Sequence, residues 1–140
     1  MNHLIEAIEP RRMMAGVSVS ASQTLVIEGT RGDDSISVHN SRGKVKVSIT
    51  SGDETSSYRF KASQVKRLAV SGNRGNDTIH FSASTLRSAE ISGGSGDDRI
   101  YAEGNTLLIL GGEGNDRITT VNKTGRGVNT LIGHLGRDRL

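Results

Sequence analysis

The sequence has no cysteine and no tryptophan, one proline, two tyrosines and two phenylalanines. Without cysteine there is no disulfide framework, no thiol chemistry and no cysteine-ligated zinc. Aromatics at 3% and apolar residues at 33% leave too few large side chains for a thick globular core, and the lone proline argues against a collagen-like or proline-rich disordered chain. No apolar run approaches the roughly 18 residues of a membrane helix, and the opening stretch lacks the apolar core of a cleaved secretion signal. The missing cysteine does not name a compartment, since bacterial surface proteins manage without disulfides as readily as cytosolic ones.

What the chain does have is glycine, 18 in 140 residues, about twice the usual share. A net charge of +3 and a pI near 9.6 would ordinarily direct attention to nucleic acid or anionic surfaces. The acids point elsewhere. Of eight aspartates, seven (Asp33, Asp34, Asp77, Asp97, Asp98, Asp116 and Asp138) fall in short glycine-containing segments, and only Asp53 falls outside them.

Those segments are copies of one another. GTRGDDSIS from Gly29, GNRGNDTIH from Gly72, GGSGDDRIY from Gly93, GGEGNDRIT from Gly111 and GHLGRDRL from Gly133 align without gaps. Positions 1 and 4 are always glycine, position 6 is always aspartate, and position 8 is isoleucine or, at Leu140, leucine. The 43-residue first interval is about twice the later intervals of 21, 18 and 22, which predicts one degenerate copy near Gly52. Short apolar runs at Leu68–Ser71, Ala89–Ser92, Thr106–Leu110 and Asn129–Ile132 read as strands between the turns. One period with two short strands is one coil of a solenoid. Stacking the coils would pair like strands in parallel and gather Ile79, Ile100, Ile118 and Leu140 into a thin buried ladder.

The fold class predicted is therefore all-β: a short parallel β-solenoid preceded by an antiparallel β meander. Residues 71–140 make the repeats. Residues 17–70 make the meander, from alternation at Val17–Ser20, Thr24–Glu28, Ser35–His39 and Lys44–Thr50, running on through Ser51–Glu54 to Tyr58 and Phe60. It would cap the first edge of the roll. Residues 1–16, with Leu4, Ile5 and Ile8 before Pro10 and then Arg11, Arg12, Met13 and Met14, are expected to be loosely ordered.

Glycine at positions 1 and 4 allows positive φ and close approach of successive coils, so backbone carbonyls can face the gap between turns. Aspartate at position 6 adds a carboxylate to each gap. Carbonyls with two carboxylates are the hard oxygen ligands that Ca²⁺ accepts at six or more positions, whereas Mg²⁺ demands a tighter octahedron. The alternative is that each aspartate only caps backbone amides in a tight turn. Asparagine or serine would cap as well, and neither occurs at position 6.

GGSGDDRIY and GGEGNDRIT resemble the haemolysin-type, or repeats-in-toxin, calcium-binding nonapeptide GGxGxDxUx. The resemblance implies a right-handed parallel β-roll with calcium between turns stacked on one side. Its ligands would be the carboxylates of Asp77, Asp98, Asp116 and Asp138 and the carbonyls of Gly72, Arg74, Gly93, Ser95, Gly111 and Glu113. Asp34 holds the same position in the first copy and joins the candidate set. Sites are implied between the turns at 72 and 93, 93 and 111, and 111 and 133. The whole chain also resembles bacterial secreted or surface proteins that open with a segment like IEPRRMMAG, pass through one like TLVIEGTRGDDSISV and enter such repeats, which implies an extracellular or cell-surface location.

Two departures stand out. The half-coils between copies, such as AEGNTLLIL with Leu107 in place of aspartate, confine metal to one side, and position 2 is Thr30, Asn73 or His134 in the outer copies. Position 7 is Arg99, Arg117 and Arg139 in the last three copies, with Arg137 at position 5 of the last. A solvated row paired locally with Asp97 or neighbouring acids is the expected reading of these arginines, and a polyanion-binding stripe is the alternative. Cations so close should hold affinity at the extracellular end of the calcium scale, roughly 10⁻⁴ to 10⁻³ M. His3, His39, His80 and His134 form no zinc spacing and there is no nucleophile elbow, so no enzyme is expected; four scattered aromatics offer no stacking platform for nucleic acid. Calcium binding in a non-catalytic secreted or surface structural or adhesion module is the function read here, with possible partners among surface or matrix components. End-to-end association at the C-terminal coil is a further possibility. The reading from another class is a metal-independent β-solenoid scaffold that binds a partner or polysaccharide.

Overall fold

A computed structural model describes residues 15–83, 85–122, 125 and 127–140. Of the segment 1–16 expected to be loosely ordered, residues 1–14 lie outside the described residues. The described residues are almost wholly β: β1 (Gly16–Val19), β2 (Thr24–Glu28), β3 (Asp34–Ser41), β4 (Lys44–Ser51), β5 (Glu54–Lys61), β6 (Arg67–Ser71), β7 (Thr78–Ser82), β8 (Ser88–Ser92), β9 (Arg99–Glu103), β10 (Leu107–Leu110), β11 (Arg117–Val121) and β12 (Asn129–Ile132). No helix among them is long and apolar enough to cross a membrane.

The strands form two six-stranded sheets. The first has the order β1-β2-β6-β8-β10-β12 and the second β11-β9-β7-β3-β4-β5. From β6 onward successive strands alternate between the sheets, and within each sheet they pair in parallel with the strand one coil away. β2 and β3 join the same stacks, parallel to β6 and β7. Each coil is thus a strand of the first sheet, a Gly-Asp turn and a strand of the second sheet.

The two-residue side-chain period of a strand explains the core. Leu25, Ile27, Leu68, Val70, Ala89, Ile91, Leu107 and Ile109 point inward from the first sheet, while Ile36, Val38, Ile79, Phe81, Ile100, Ala102 and Ile118 meet them from the second. The space is thin, and its buried ring, Phe81, stands in register with the small Ala102. Ile79, Ile100 and Ile118 are buried and aligned as expected. Leu140 does not join them: pairing ends at the Arg117–Arg139 bridge, no described strand covers the last position, and Leu140 is 63% exposed.

The meander is present. β3, β4 and β5 pair antiparallel and extend the second sheet, and β1 pairs antiparallel with β2 at the edge of the first. The degenerate copy expected near Gly52 is absent. Gly52 sits in the β4–β5 turn with φ +59, and the turn at Gly29 stacks directly on the turn at Gly72, whose carbonyl oxygen is 2.9 Å from where a Gly29 Cβ would stand. The long first interval is one coil plus a two-strand excursion, because Val45, Val47 and Ile49 continue the inward row of the second sheet. The strands before and after residue 70 share both sheets and one core.

Candidate metal centre

The five Gly-Asp turns stand side by side along one flank, held in register by two ladders of hydrogen bonds. In the inner ladder each position 6 carboxylate reaches back one coil. The backbone N–H of Asp34 donates to Asp77 Oδ1 at 2.8 Å, that of Asp77 to Asp98 Oδ1 at 2.8 Å, that of Asp98 to Asp116 Oδ1 at 2.9 Å and that of Asp116 to Asp138 Oδ1 at 2.8 Å. The outer ladder runs the other way at position 5. The N–H groups of Asn76, Asp97, Asn115 and Arg137 donate to side-chain oxygens of Asp33, Asn76, Asp97 and Asn115 at 2.7 to 2.8 Å. The inner ladder is the amide capping weighed from the sequence, carried between coils instead of within one. The outer ladder was not foreseen, although an oxygen-bearing Asp or Asn at position 5 of the first four copies was its signal.

Capping uses only one oxygen of each carboxylate. Asp77, Asp98 and Asp116 are 1 to 2% exposed, and the Oδ2 of each is buried without a hydrogen-bond partner. Position 1 glycine makes room for it. A Cβ on Gly72 would stand 2.5 Å from Asp77 Oδ2 and 2.7 Å from the Gly93 carbonyl oxygen. At Gly111 the same atoms are Asp116 Oδ2 at 2.5 Å and the Gly133 carbonyl at 3.0 Å. At Gly93, Asp98 Oδ2 and the Gly111 carbonyl fill that space. In three successive gaps, therefore, an unpartnered carboxylate oxygen of one coil and a position 1 carbonyl of the next flank the same point.

The electrostatics follow from this burial. Removal from water drives the Asp77 carboxyl up to about 8 against the pull of the Asp34 amide, with neighbouring Asp98, Asp34 and Asp33 adding repulsion. Asp98 is pushed up to about 7, first by burial and then by Asp116 and Asp97. Asp116 is raised as well, by burial and by Asp138 and Asp97. Carboxylates this close to one another and this dry resist ionisation unless a cation joins them.

The first gap is built differently. Asp34 is buried, but Thr30 donates its N–H to Asp34 Oδ2 at 2.6 Å and its hydroxyl to Oδ1 at 2.8 Å. Asn73 Nδ2 donates to the Gly29 carbonyl at 2.8 Å. Thr30 thus takes up the carboxylate oxygen whose counterparts stay unpartnered in the three later gaps. The position 2 side chains behave individually: Asn73 and His134 take positive φ, +67 and +69, whereas Thr30 is not among the positive-φ residues and closes onto Asp34 instead.

Among the described residues no group of three or more histidine, aspartate or glutamate side chains surrounds a common point. Each gap presents one free carboxylate oxygen rather than the two expected, since Oδ1 of the following aspartate is spent on the amide of the preceding one. Backbone oxygens must therefore supply most ligands for a bound ion. Gly72, Gly93 and Gly111 turn their carbonyls toward the preceding coil. The Glu113 carbonyl instead accepts the Gly96 N–H at 3.0 Å. Buried unpartnered oxygens in a cradle that any Cβ would fill suit a hard cation. Arg99, Arg117, Arg137 and Arg139 are exposed along the same groove as Asp77, Asp97, Asp98 and Asp116, and no ion pair links them to Asp97.

Residues 70–83 and 90–118 match the RTX calcium-binding nonapeptide repeat, with four copies. The matched residues take in the turns at 72, 93 and 111 and leave out those at 29 and 133. No curated protein and no solved structure gives a significant match.

Proposed function

We propose that the protein is a calcium-binding module whose β-roll is completed by metal in the three gaps between the turns at 72 and 93, 93 and 111, and 111 and 133. The observation that carries this is the row of buried, unpartnered Oδ2 atoms of Asp77, Asp98 and Asp116, repeated in register within matched calcium-binding repeats. Asp77, Asp98 and Asp116 would hold the ions with the carbonyls of Gly93, Gly111 and Gly133, and Asp138 would anchor the last turn through the Asp116 amide. Bound calcium supplies positive charge where burial otherwise opposes ionised carboxylates. Asp34 is a capping residue in this reading, because Thr30 already satisfies both its oxygens.

Metal between coils makes folding calcium-linked, since binding to the folded chain alone stabilises it by mass action. Repeats of this family are typical of secreted bacterial proteins, which supports an extracellular or surface setting with a structural, non-catalytic role. Calorimetric titration tests the assignment. Three sites or fewer should fill, with Asp77→Asn, Asp98→Asn and Asp116→Asn each reducing heat and Asp34→Asn leaving it unchanged. Absence of calcium heat would favour the metal-independent scaffold, whose support is the amide capping by Oδ1 of Asp77, Asp98, Asp116 and Asp138.

A further inference from the structure

The alternation that buries Ile79, Ile100 and Ile118 turns their neighbours outward on the second sheet. Arg99 stands in register with Arg117, and Arg117 with Arg139. Neighbouring strands are about 4.8 Å apart, so the three cations rise in a row about 10 Å long. All three are exposed, as is Arg137, and none is in an ion pair with another described residue. The acid expected to offset them is engaged elsewhere, Asp97 Oδ1 accepting the Asn115 N–H at 2.8 Å. Like charges on adjacent rungs repel, so this row is one that an external anion would stabilise.

The same face is basic at its other end. Lys46 stands between His39 and Arg59, and Lys44 beside Lys61. Between the two cation groups run hydroxyl rows, Ser57-Ser48-Ser37 and Thr55-Thr50-Ser35-Thr78. His80 and Tyr101 lie among them, stacked with ring centroids 4.9 Å apart and planes 16° from parallel. Glu103 is the one acid in these outward rows, and the Tyr101 hydroxyl donates to it at 3.3 Å.

We propose that this face of the second sheet binds an acidic polysaccharide, lying across the strands from the Arg99-Arg117-Arg139 row to the Lys46-Arg59 pair. Guanidinium groups take carboxylate or sulfate groups in paired hydrogen bonds. Hydroxyl rows match a hydroxyl-rich chain, and a ring pair offers an apolar surface to a sugar face. Six strands span about 24 Å, a length that requires an extended oligomer and not a single sugar. A nucleic acid fits less well, because its bases want several open aromatic platforms and this face has one pair of rings already stacked on each other.

The test is binding of the full chain, kept in calcium, to sulfated dextran, to neutral dextran and to single-stranded oligothymidylate of matched charge. Sulfated dextran should bind, weaken as salt rises and outcompete the oligothymidylate, and neutral dextran should not bind. Arg99→Ser/Arg117→Ser/Arg139→Ser should lose about tenfold or more in affinity, the effect of removing charge-assisted contacts, and Lys46→Ser/Arg59→Ser should lose in the same direction. Arg67→Ser, on the first sheet, should bind as the parent does. Circular dichroism and the calcium-induced melting shift are read on every variant, so that a loss of binding with both unchanged is a loss of the surface alone. No binding of sulfated dextran, tighter binding of oligothymidylate, or an equal loss on Arg67→Ser would each overturn the proposal.

Discussion

At the scale of single residues, Asp77, Asp98 and Asp116 each have two jobs divided between their two oxygens. Oδ1 caps the amide of the previous coil, and Oδ2 waits in a dry gap. Asparagine keeps the first job and drops the charge of the second. Asp98→Asn should therefore stabilise calcium-free protein at alkaline pH by about 1–2 kcal/mol, for a buried unpaired charge removed, and so raise its melting point, while shrinking the shift that calcium produces. Thermal melts with chelator and with calcium check both signs. The proton is the other ligand for these carboxylates. A folded pKa above the unfolded value of about 3.9 means that the protonated fold is favoured. That stabilisation is complete below the unfolded value and is lost as pH rises through about 7 for Asp98 and about 8 for Asp77. Calcium-free protein should accordingly melt higher near about pH 5 than near about pH 9, and apparent calcium affinity should fall over the same descent in pH. A flat apo melting point across that range would mean that these carboxyls are not buried as described. At position 1 the prediction is steric. Gly72→Ala places a Cβ against Asp77 Oδ2 and the Gly93 carbonyl, and should cost about 1–3 kcal/mol, with the calcium-induced shift reduced, in parallel melts.

At the scale of elements, the strands were legible because their alternation is strict. Ser35–His39 and Lys44–Thr50 lie where apolar and polar residues exchange every second position, while Thr24–Glu28 and Asn129–Ile132 are short runs with apolar residues between turns. The turns were legible because five copies repeat the same glycines and aspartate. The sequence misled at Gly52, where spacing alone suggested another coil. A hairpin and a degenerate repeat occupy similar lengths, and only the pairing of Val45, Val47 and Ile49 with β3 separates them. It also gave no warning that Thr30 closes the first gap, because a threonine at position 2 shows its partner only when the turn is folded around Asp34. The expected pairing of Asp97 with the arginines failed for the same reason: its carboxylate was already engaged between coils. Packing of the elements yields a further prediction. Ile100 is 2% exposed, between Ile79 and Ile118 in register, so Ile100→Ala should destabilise by about 2–5 kcal/mol in calcium and in chelator alike. Denaturant melts in both conditions check this. A cost seen only without calcium would place Ile100 at the metal gaps and not in the common core.

At the scale of the whole molecule, the two sheets share one thin core and one flank of stacked turns, so a charge placed in one gap acts on the next through the inner ladder. Asp98 touches two gaps, through the Asp77 amide on one side and its own Oδ2 on the other. Part of the basic surplus stands on the solvent face of the second sheet, at Lys46, Arg59, Arg99, Arg117 and Arg139, while nearly all the aspartate lies in the stacked turns. Calcium linkage across the flank is the central claim. For a dissociation constant of roughly 10⁻³ M, about 10 mM calcium adds about 1.4 kcal/mol per site, or about 4 kcal/mol for three. In a domain of this size that raises the midpoint by about 10 °C or more. The direct measurement is the thermal midpoint by circular dichroism, taken on the same protein in excess chelator and in about 10 mM CaCl₂ at the same ionic strength and pH. A rise of that order, with added β signal, is the predicted result; an unchanged midpoint and spectrum would contradict it.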